Sequence, residues 1–341
     1  FQGRENELAL IRTFFLSGRN SGAPLYFHGI RKVGKTSLLE RVRQELLLAD
    51  ILPIRVDLKG IDPQSQSPVQ VINSLTEKIL TELRTARPEL ADITPVPPDH
   101  GNYLHAAETF FRAVAERLHP TRMVLLLDEF HLLVSHGTKP LLDLIRLVHQ
   151  RDDAWFIMSG WKRPEIIREA CPETELSLQP HAIDFLPMET VARVLREPMA
   201  NSGIEIPDEA VERVQLQTAG NPYHVAKLAW LSVNRLNAQH RTIITPHDID
   251  ELAGLLARDE GNFGASSFSP LILNSDEQRA AMKFSRLLSG EQMVLPIAQA
   301  MEAIGSQMLI QLEQKYLIEK CPGGVRLRGK MLTTYLQNRL N

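Results

Sequence analysis

Cysteine is scarce. The 341 residues hold two, Cys171 and Cys321, far apart and in unrelated contexts. Two such thiols build neither a disulfide framework nor a metal-binding spacing, which fits a reducing cytosol and makes the cytoplasm the expected location. Long apolar runs are missing too. "MVLLL" at 123–127 is far shorter than the roughly 20 residues that cross a bilayer. With no signal-peptide pattern at the start, no membrane partner is expected. Charge of one sign is also lacking: the net charge of −3 gives no global reason to expect a polyanion. Internal repeats and low-complexity tracts are absent. What remains is the balance of a globular protein, 43% apolar and 23% charged, in a chain long enough for two or three domains. The sequence has no starting Met and opens directly in a motif, which points to a piece of a longer protein.

The first half alternates strands with helices. "PLYFHGI" (24–30) reads as a short apolar strand and "GKTSLLERVRQELLLA" (34–49) as a helix with apolar residues at helical spacing. "ILPIRVDLKG" (51–60) predicts a second strand and 68–86 a helix, followed by a proline-rich connection over 86–102. A helix near 103–118 leads to "RMVLLLDE" (122–129), the strongest strand signal. A helix at 139–149, a strand "AWFIMSG" (154–160) and a weaker strand "AIDFLP" (182–187) complete the pattern. This alternation predicts an α/β domain over 1–187, a parallel sheet with helices on both faces. Four amphipathic segments then predict an all-helical domain over 188–260, the last starting with Thr245 as N-cap, Pro246 and Asp248. Residues 258–278 read as a linker. The tail reads helix, helix, helix, a hairpin around "CPGG" (321–324) and a closing helix, the order of a winged helix-turn-helix, making 261–341 the third domain.

"GIRKVGKT" (29–36) fits G-x-x-x-x-G-K-[ST] in the required setting, strand before and helix after. There the backbone N–H groups of Gly29, Ile30, Arg31, Lys32, Val33 and Gly34 curl around phosphate oxygens. The helix start at Lys35, Thr36 and Ser37 adds partial positive charge. Lys35 is expected to reach the β- and γ-phosphates and Thr36 to ligate Mg²⁺. "MVLLLDEF" (123–130) is the second half of the constellation. A strand ending in acid delivers Asp128 to the carboxyl edge of the sheet as a Mg²⁺ ligand, with Glu129 beside it to polarise the attacking water. Both motifs together imply ATP/ADP and Mg²⁺ as cofactors and a P-loop NTPase sheet that hydrolyses ATP. Ser159, closing the fourth strand, either touches the γ-phosphate and orients the water or merely finishes a strand. Lys162 and Arg163 after it read as surface charge in preference to phosphate sensors.

"FQGRENEL" (1–8), "GIRKVGKTSLL", "LLLDEFHLL" and "TAGNPYHVAKLA" (218–229), in this order, resemble the STAND branch of the AAA+-related P-loop ATPases. The likeness is strongest to its bacterial and archaeal members and extends, more distantly, to archaeal origin-binding initiators. It covers essentially the whole chain. The resemblance implies Gly3 and Arg4 beside the adenine, with Phe1 and Gln2 close to the base. It also implies a helical lid whose Gly220 and Pro222 contact the nucleotide from the other side. Family members commonly carry an arginine directly after the small polar residue of the fourth strand. Here Gly160 and Trp161 follow Ser159, so the mode of γ-phosphate sensing stays open.

A winged helix invites a duplex-DNA partner. The expected recognition helix, 305–317, has only Lys315 as a cation, against Glu313. Gln307, Gln311 and Gln314 could read bases, and Arg326, Arg328 and Lys330 are the best case for phosphate contacts. The thin charge favours packing against protein. The reading is therefore a nucleotide-controlled regulatory switch that self-associates or engages an effector or sensor protein. The alternative is an ATP-dependent DNA-associated protein of the initiator or transposition-helper type.

Overall fold

Five segments pair side by side in one sheet, and the first four are largely apolar and buried. They are β1 (Leu25–His28), β2 (Leu52–Asp57), β3 (Met123–Asp128), β4 (Trp155–Gly160) and β5 (Gln179–Ala182). The computed structural model describes residues 2–16, 23–61, 66–94, 102–134, 139–172, 176–258, 267, 275–288 and 293–338. Phe1 and most of the expected linker at 258–278 lie outside the described residues.

The strand order is β2-β3-β4-β1-β5, with every pair parallel. β3 and β4 are buried at every position, as the unbroken apolar runs of a sheet covered on both faces require. The covering helices include α2 (Lys35–Leu48), α3 (Pro68–Ala86), α4 (Tyr103–Leu118) and α5 (Lys139–Gln150), with α1 (Glu5–Ile11) ahead of the sheet and α6 (Pro164–Ala170) after β4. α3 starts where the sequence dictates, with a Ser67–Gln70 capping box and Pro68 in the first turn.

The fifth strand differs from its expected place at 182–187. It runs over Gln179–Ala182, pairs among the described residues only with β1 and alternates half-buried with exposed positions. An edge strand needs no continuous apolar run, so "QPHA" carries no strong strand signal. Ile183 extends the pairing through its N–H to the His28 carbonyl at 2.7 Å.

The chain divides into two compact units, Gly3–Ile183 and Asp184–Asn341. The second contains α7 (Met188–Arg196), α8 (Asp208–Thr218), α9 (Pro222–Gln239) and α10 (Pro246–Arg258). After them come α11 (Ser275–Leu287), α12 (Ile297–Ile304), α13 (Ser306–Gln314), the antiparallel hairpin β6 (Ile318–Cys321) and β7 (Gly324–Leu327), and α14 (Lys330–Asn338). One hydrophobic core runs through all of these, from Leu186 and Val191 to Phe284, Leu312 and Leu336. Leu295 adds a third, one-residue rung to the hairpin by exchanging backbone hydrogen bonds of 2.8 and 2.9 Å with Val325. Thr245 and Asp248 cap α10 reciprocally. Among the described residues no helix is long and apolar enough to cross a membrane.

Candidate functional site

The site begins where β1 stops. The segment from Gly29 to Gly34 turns between His28 and the first residue of α2, Lys35. Gly34 sits at φ +96°, a conformation open to glycine that brings the loop back onto the helix start. Gly29 is pressed by its surroundings: a Cβ there would lie 2.3 Å from the Ile183 carbonyl oxygen. Its N–H bonds the Gly160 carbonyl at 3.2 Å, fastening the loop to β4. Val33 and Ile30 bury their side chains beneath the loop, whereas Arg31 stands exposed on its outside and Lys32 is half-buried with φ +64°.

Lys35 is buried and folds back over the loop, its Nζ donating to the carbonyls of Gly29 and Ile30 at 2.8 Å each. Burial pushes its pKa down to about 8, with Glu129 and Asp128 acting in the opposite direction. Thr36 and Ser37 are exposed on the first turn of α2.

Asp128 is where the sheet order acts. β3 and β1 are separated by β4, and the β1–β4 register sets Phe27 level with Ser159. The Ser159 hydroxyl, fully buried, donates to Asp128 Oδ1 at 2.5 Å. Thr36 Oγ1 donates to Asp128 Oδ2 at 2.8 Å. The Glu129 N–H reaches Oδ1 at 3.1 Å, and an Arg55 Nη2 stands 3.4 Å from Oδ2. The three residues expected around a metal and γ-phosphate, Thr36, Asp128 and Ser159, are thus one hydrogen-bonded set. Thr36 and Asp128 offer two hard oxygens side by side at the loop, the kind of donor set with which Mg²⁺ supplements its waters and a nucleotide's phosphates, so the residues fit that ion.

Glu129 takes a left-handed backbone conformation, φ +61°, which a non-glycine residue adopts at a cost. The kink turns its half-buried carboxylate out of the strand line. Its Oε2 lies 3.4 Å from Nδ1 of His131. His131 is buried edge-on to Trp161, and burial, with Lys162, Lys35 and Arg31 nearby, pushes its pKa down to about 3. The imidazole is neutral at ordinary pH. Lys162 donates to the Val134 carbonyl at 3.0 Å.

Two neighbours escaped the sequence reading. His131 gave no signal beyond its position after "DE". Arg55 gave one: a cation inside the apolar strand "ILPIRVD".

Gly3 (φ +77°) and Arg4 lie at the start of α1. Arg4 is buried and its Nη2 donates to the Val33 carbonyl at 3.0 Å, bracing the loop from below. Gly220 and Pro222 belong to the second unit. Asn221 between them caps α9, accepting from the N–H groups of Tyr223 and His224 at 3.0 and 3.3 Å, and Pro222 is its first residue.

Residues 1–157 match the AAA ATPase domain family (AAA_16). The chain is similar to the solved structure of the Thermotoga maritima RuvB Holliday junction branch migration motor. Identity is 14%, the match covers 96% of this chain and 92% of that one, and the TM-score is 0.51. It is also similar to Cdc6p from Pyrobaculum aerophilum, at 15% identity over 99% of this chain and 95% of that one, with a TM-score of 0.49. No curated protein matches the sequence. The five-stranded parallel sheet and its loop are a P-loop AAA+ ATPase fold.

Proposed function

We propose that this chain binds ATP with Mg²⁺ and hydrolyses it slowly, as a STAND-like switch whose nucleotide state controls assembly or an effector. The observation that carries the reading is the Thr36–Asp128–Ser159 set beneath a loop that already holds its lysine. Lys35 exchanges two carbonyl acceptors for β- and γ-phosphate oxygens. Thr36 and Asp128 hold Mg²⁺, which when bound neutralises charge on those phosphates. Glu129 orients the attacking water and accepts its proton at a carboxylate oxygen. Ser159 fixes Asp128 and meets the γ-phosphate side of the site. Gly3 and Arg4 border the base, and the family resemblance implies Gly220 and Pro222 as further nucleotide contacts.

The tail, read as a winged helix, is better suited to protein than to duplex DNA. Three of its four candidate DNA-binding cations are already engaged. Lys315 pairs with the buried Glu277, Arg326 with Glu319, and Arg328 with Asp184 and Glu319 while lying over the rings of Phe185 and Tyr316. The RuvB likeness keeps a DNA-associated ATPase as the second reading.

Lys35→Ala should abolish nucleotide binding. Glu129→Gln should bind ATP yet fail to cleave it; parental hydrolysis by that variant removes the assigned base. A change of oligomer size on ATP addition without DNA supports the switch. Salt-dependent duplex binding that Arg326→Ala with Arg328→Ala abolishes supports the second reading instead.

A further inference from the structure

Arg55 sits where the site should be anionic. β2 lies next to β3, with Asp57 level with Asp128 and Arg55 level with Leu126. From there the guanidinium reaches forward until Nη2 is 3.4 Å from Asp128 Oδ2, the oxygen that also accepts the Thr36 hydroxyl. Asp128 Oδ2 is therefore shared between a cation of the protein and the hydroxyl expected to stand beside Mg²⁺.

Arg55 also has a second acid within reach. Its Nη1 lies 3.9 Å from Oε2 of Glu40 on α2, and its shielded Nε has no hydrogen-bond partner among the described residues. The guanidinium is held between two carboxylates and saturated by neither. Glu40 is in turn bonded by Arg43, whose Nη2 and Nε donate to Oε1 at 2.8 and 3.0 Å and whose Nε also reaches Oε2 at 3.1 Å. A divalent cation bound to Asp128 Oδ2 would face a positive guanidinium on the same oxygen, and the repulsion opposes holding both. Without either, Asp128 would be a nearly buried carboxylate with no counter-charge at that oxygen.

We propose that Arg55 is the resident counter-ion of Asp128, which the metal must displace, and that Glu40 receives the guanidinium when it leaves. The proposal rests on the nucleotide-site reading. It makes Arg55 a determinant of metal affinity. Free divalent cation is resisted, and metal arriving with a nucleotide, whose phosphates add ligands, overcomes the lock. This role is opposite in sign to that of a residue that orients a metal ligand from behind, whose loss weakens metal binding.

The test uses the full chain with two separate readouts. Binding of a fluorescent ADP analogue in EDTA measures the nucleotide site without metal. Mn²⁺ binding to the ADP-saturated protein, followed by electron paramagnetic resonance, measures the metal site. Arg55→Gln should leave ADP affinity in EDTA unchanged and tighten Mn²⁺ by about three- to tenfold, the range of a partly exposed charge pair. Glu40→Gln, which removes the alternative acceptor, should weaken Mn²⁺ about twofold or more. Unchanged or weaker Mn²⁺ binding in Arg55→Gln, with ADP binding intact, overturns the proposal. Failure of the parent protein to bind ADP in EDTA overturns the nucleotide reading and this proposal with it.

Discussion

Arg4 donates to the carbonyl of Val33 at 3.0 Å, joining the residue ahead of α1 to the end of the phosphate loop. The bond is buried, and Arg4 also stands 3.4 Å from Glu7. Arg4→Ala would leave the Val33 carbonyl without that donor inside the protein, a loss of about 1–3 kcal/mol. We expect a lower unfolding midpoint and a weakening of ADP binding by about tenfold, measured by thermal unfolding and by fluorescence titration. Arg4→Lys should recover part of the first and less of the second, since a lysine lacks the fork that spans both partners.

Ser159→Ala removes a hydroxyl from a nearly buried carboxylate. Thr36, Glu129 N–H and Arg55 remain on Asp128, so the fold should persist with a loss of about 1–2 kcal/mol. Nucleotide binding should stay within about threefold of the parent, because backbone and Lys35 contacts are untouched, while hydrolysis should fall by about tenfold or more. Phosphate release at saturating ATP checks the second number. Parental turnover would leave Ser159 as a strand-end hydroxyl only.

His149 offers a pH test away from the site. It is buried on α5 against Phe156, neither ring nitrogen has a hydrogen-bond partner among the described residues, and burial pushes its pKa down to about 4. The unfolded chain binds this proton near pH 6.5. The folded protein binds fewer protons than the unfolded one between those values, so its contribution is intact above about pH 6.5 and lost as pH falls towards 4. His149→Leu should stabilise at all pH values by replacing two unpaired polar atoms, and by more at pH 5 than at pH 8. Melting curves of parent and variant at the two pH values decide it. An equal shift at both leaves the titration unsupported.

Gly220→Ala should be costly in the second unit. Its φ is +83°, and a Cβ there would stand 2.0 Å from the Leu186 carbonyl oxygen, whose own N–H bonds the Gly220 carbonyl at 2.8 Å. Strain and the forced separation predict a loss of about 2–4 kcal/mol. Guanidinium unfolding monitored by far-UV circular dichroism measures it. A loss under about 1 kcal/mol would mean that the Leu186 segment moves aside freely.

The site was legible where it is local. "GIRKVGKT" and "LLLDEF" each encode strand, turn and chemistry within a few residues, and the structure closes them onto one another through Thr36 and Asp128. Caps were legible for the same reason: Thr245 and Asp248 are three residues apart and bond as their types require. β5 was displaced because an edge strand is defined by its neighbour rather than by its own composition. Arg55 and His131 were missed because their meaning depends on strand order and on the αL kink at Glu129. Neither is written in spacing along the chain.

The order β4-β1-β5 has a consequence for how the protein is made. Among the described residues, the strand that carries the phosphate loop pairs only with Ile157–Gly160 and Gln179–Ala182, both encoded long after it. As the chain leaves the ribosome, β1 and the loop emerge with both strand edges bare, and they stay so until β4 and β5 follow. Such long-range parallel pairing forms slowly and exposes strand edges meanwhile. Nascent chains halted before residue 155 therefore carry the phosphate loop on a strand whose two partner strands are not yet made.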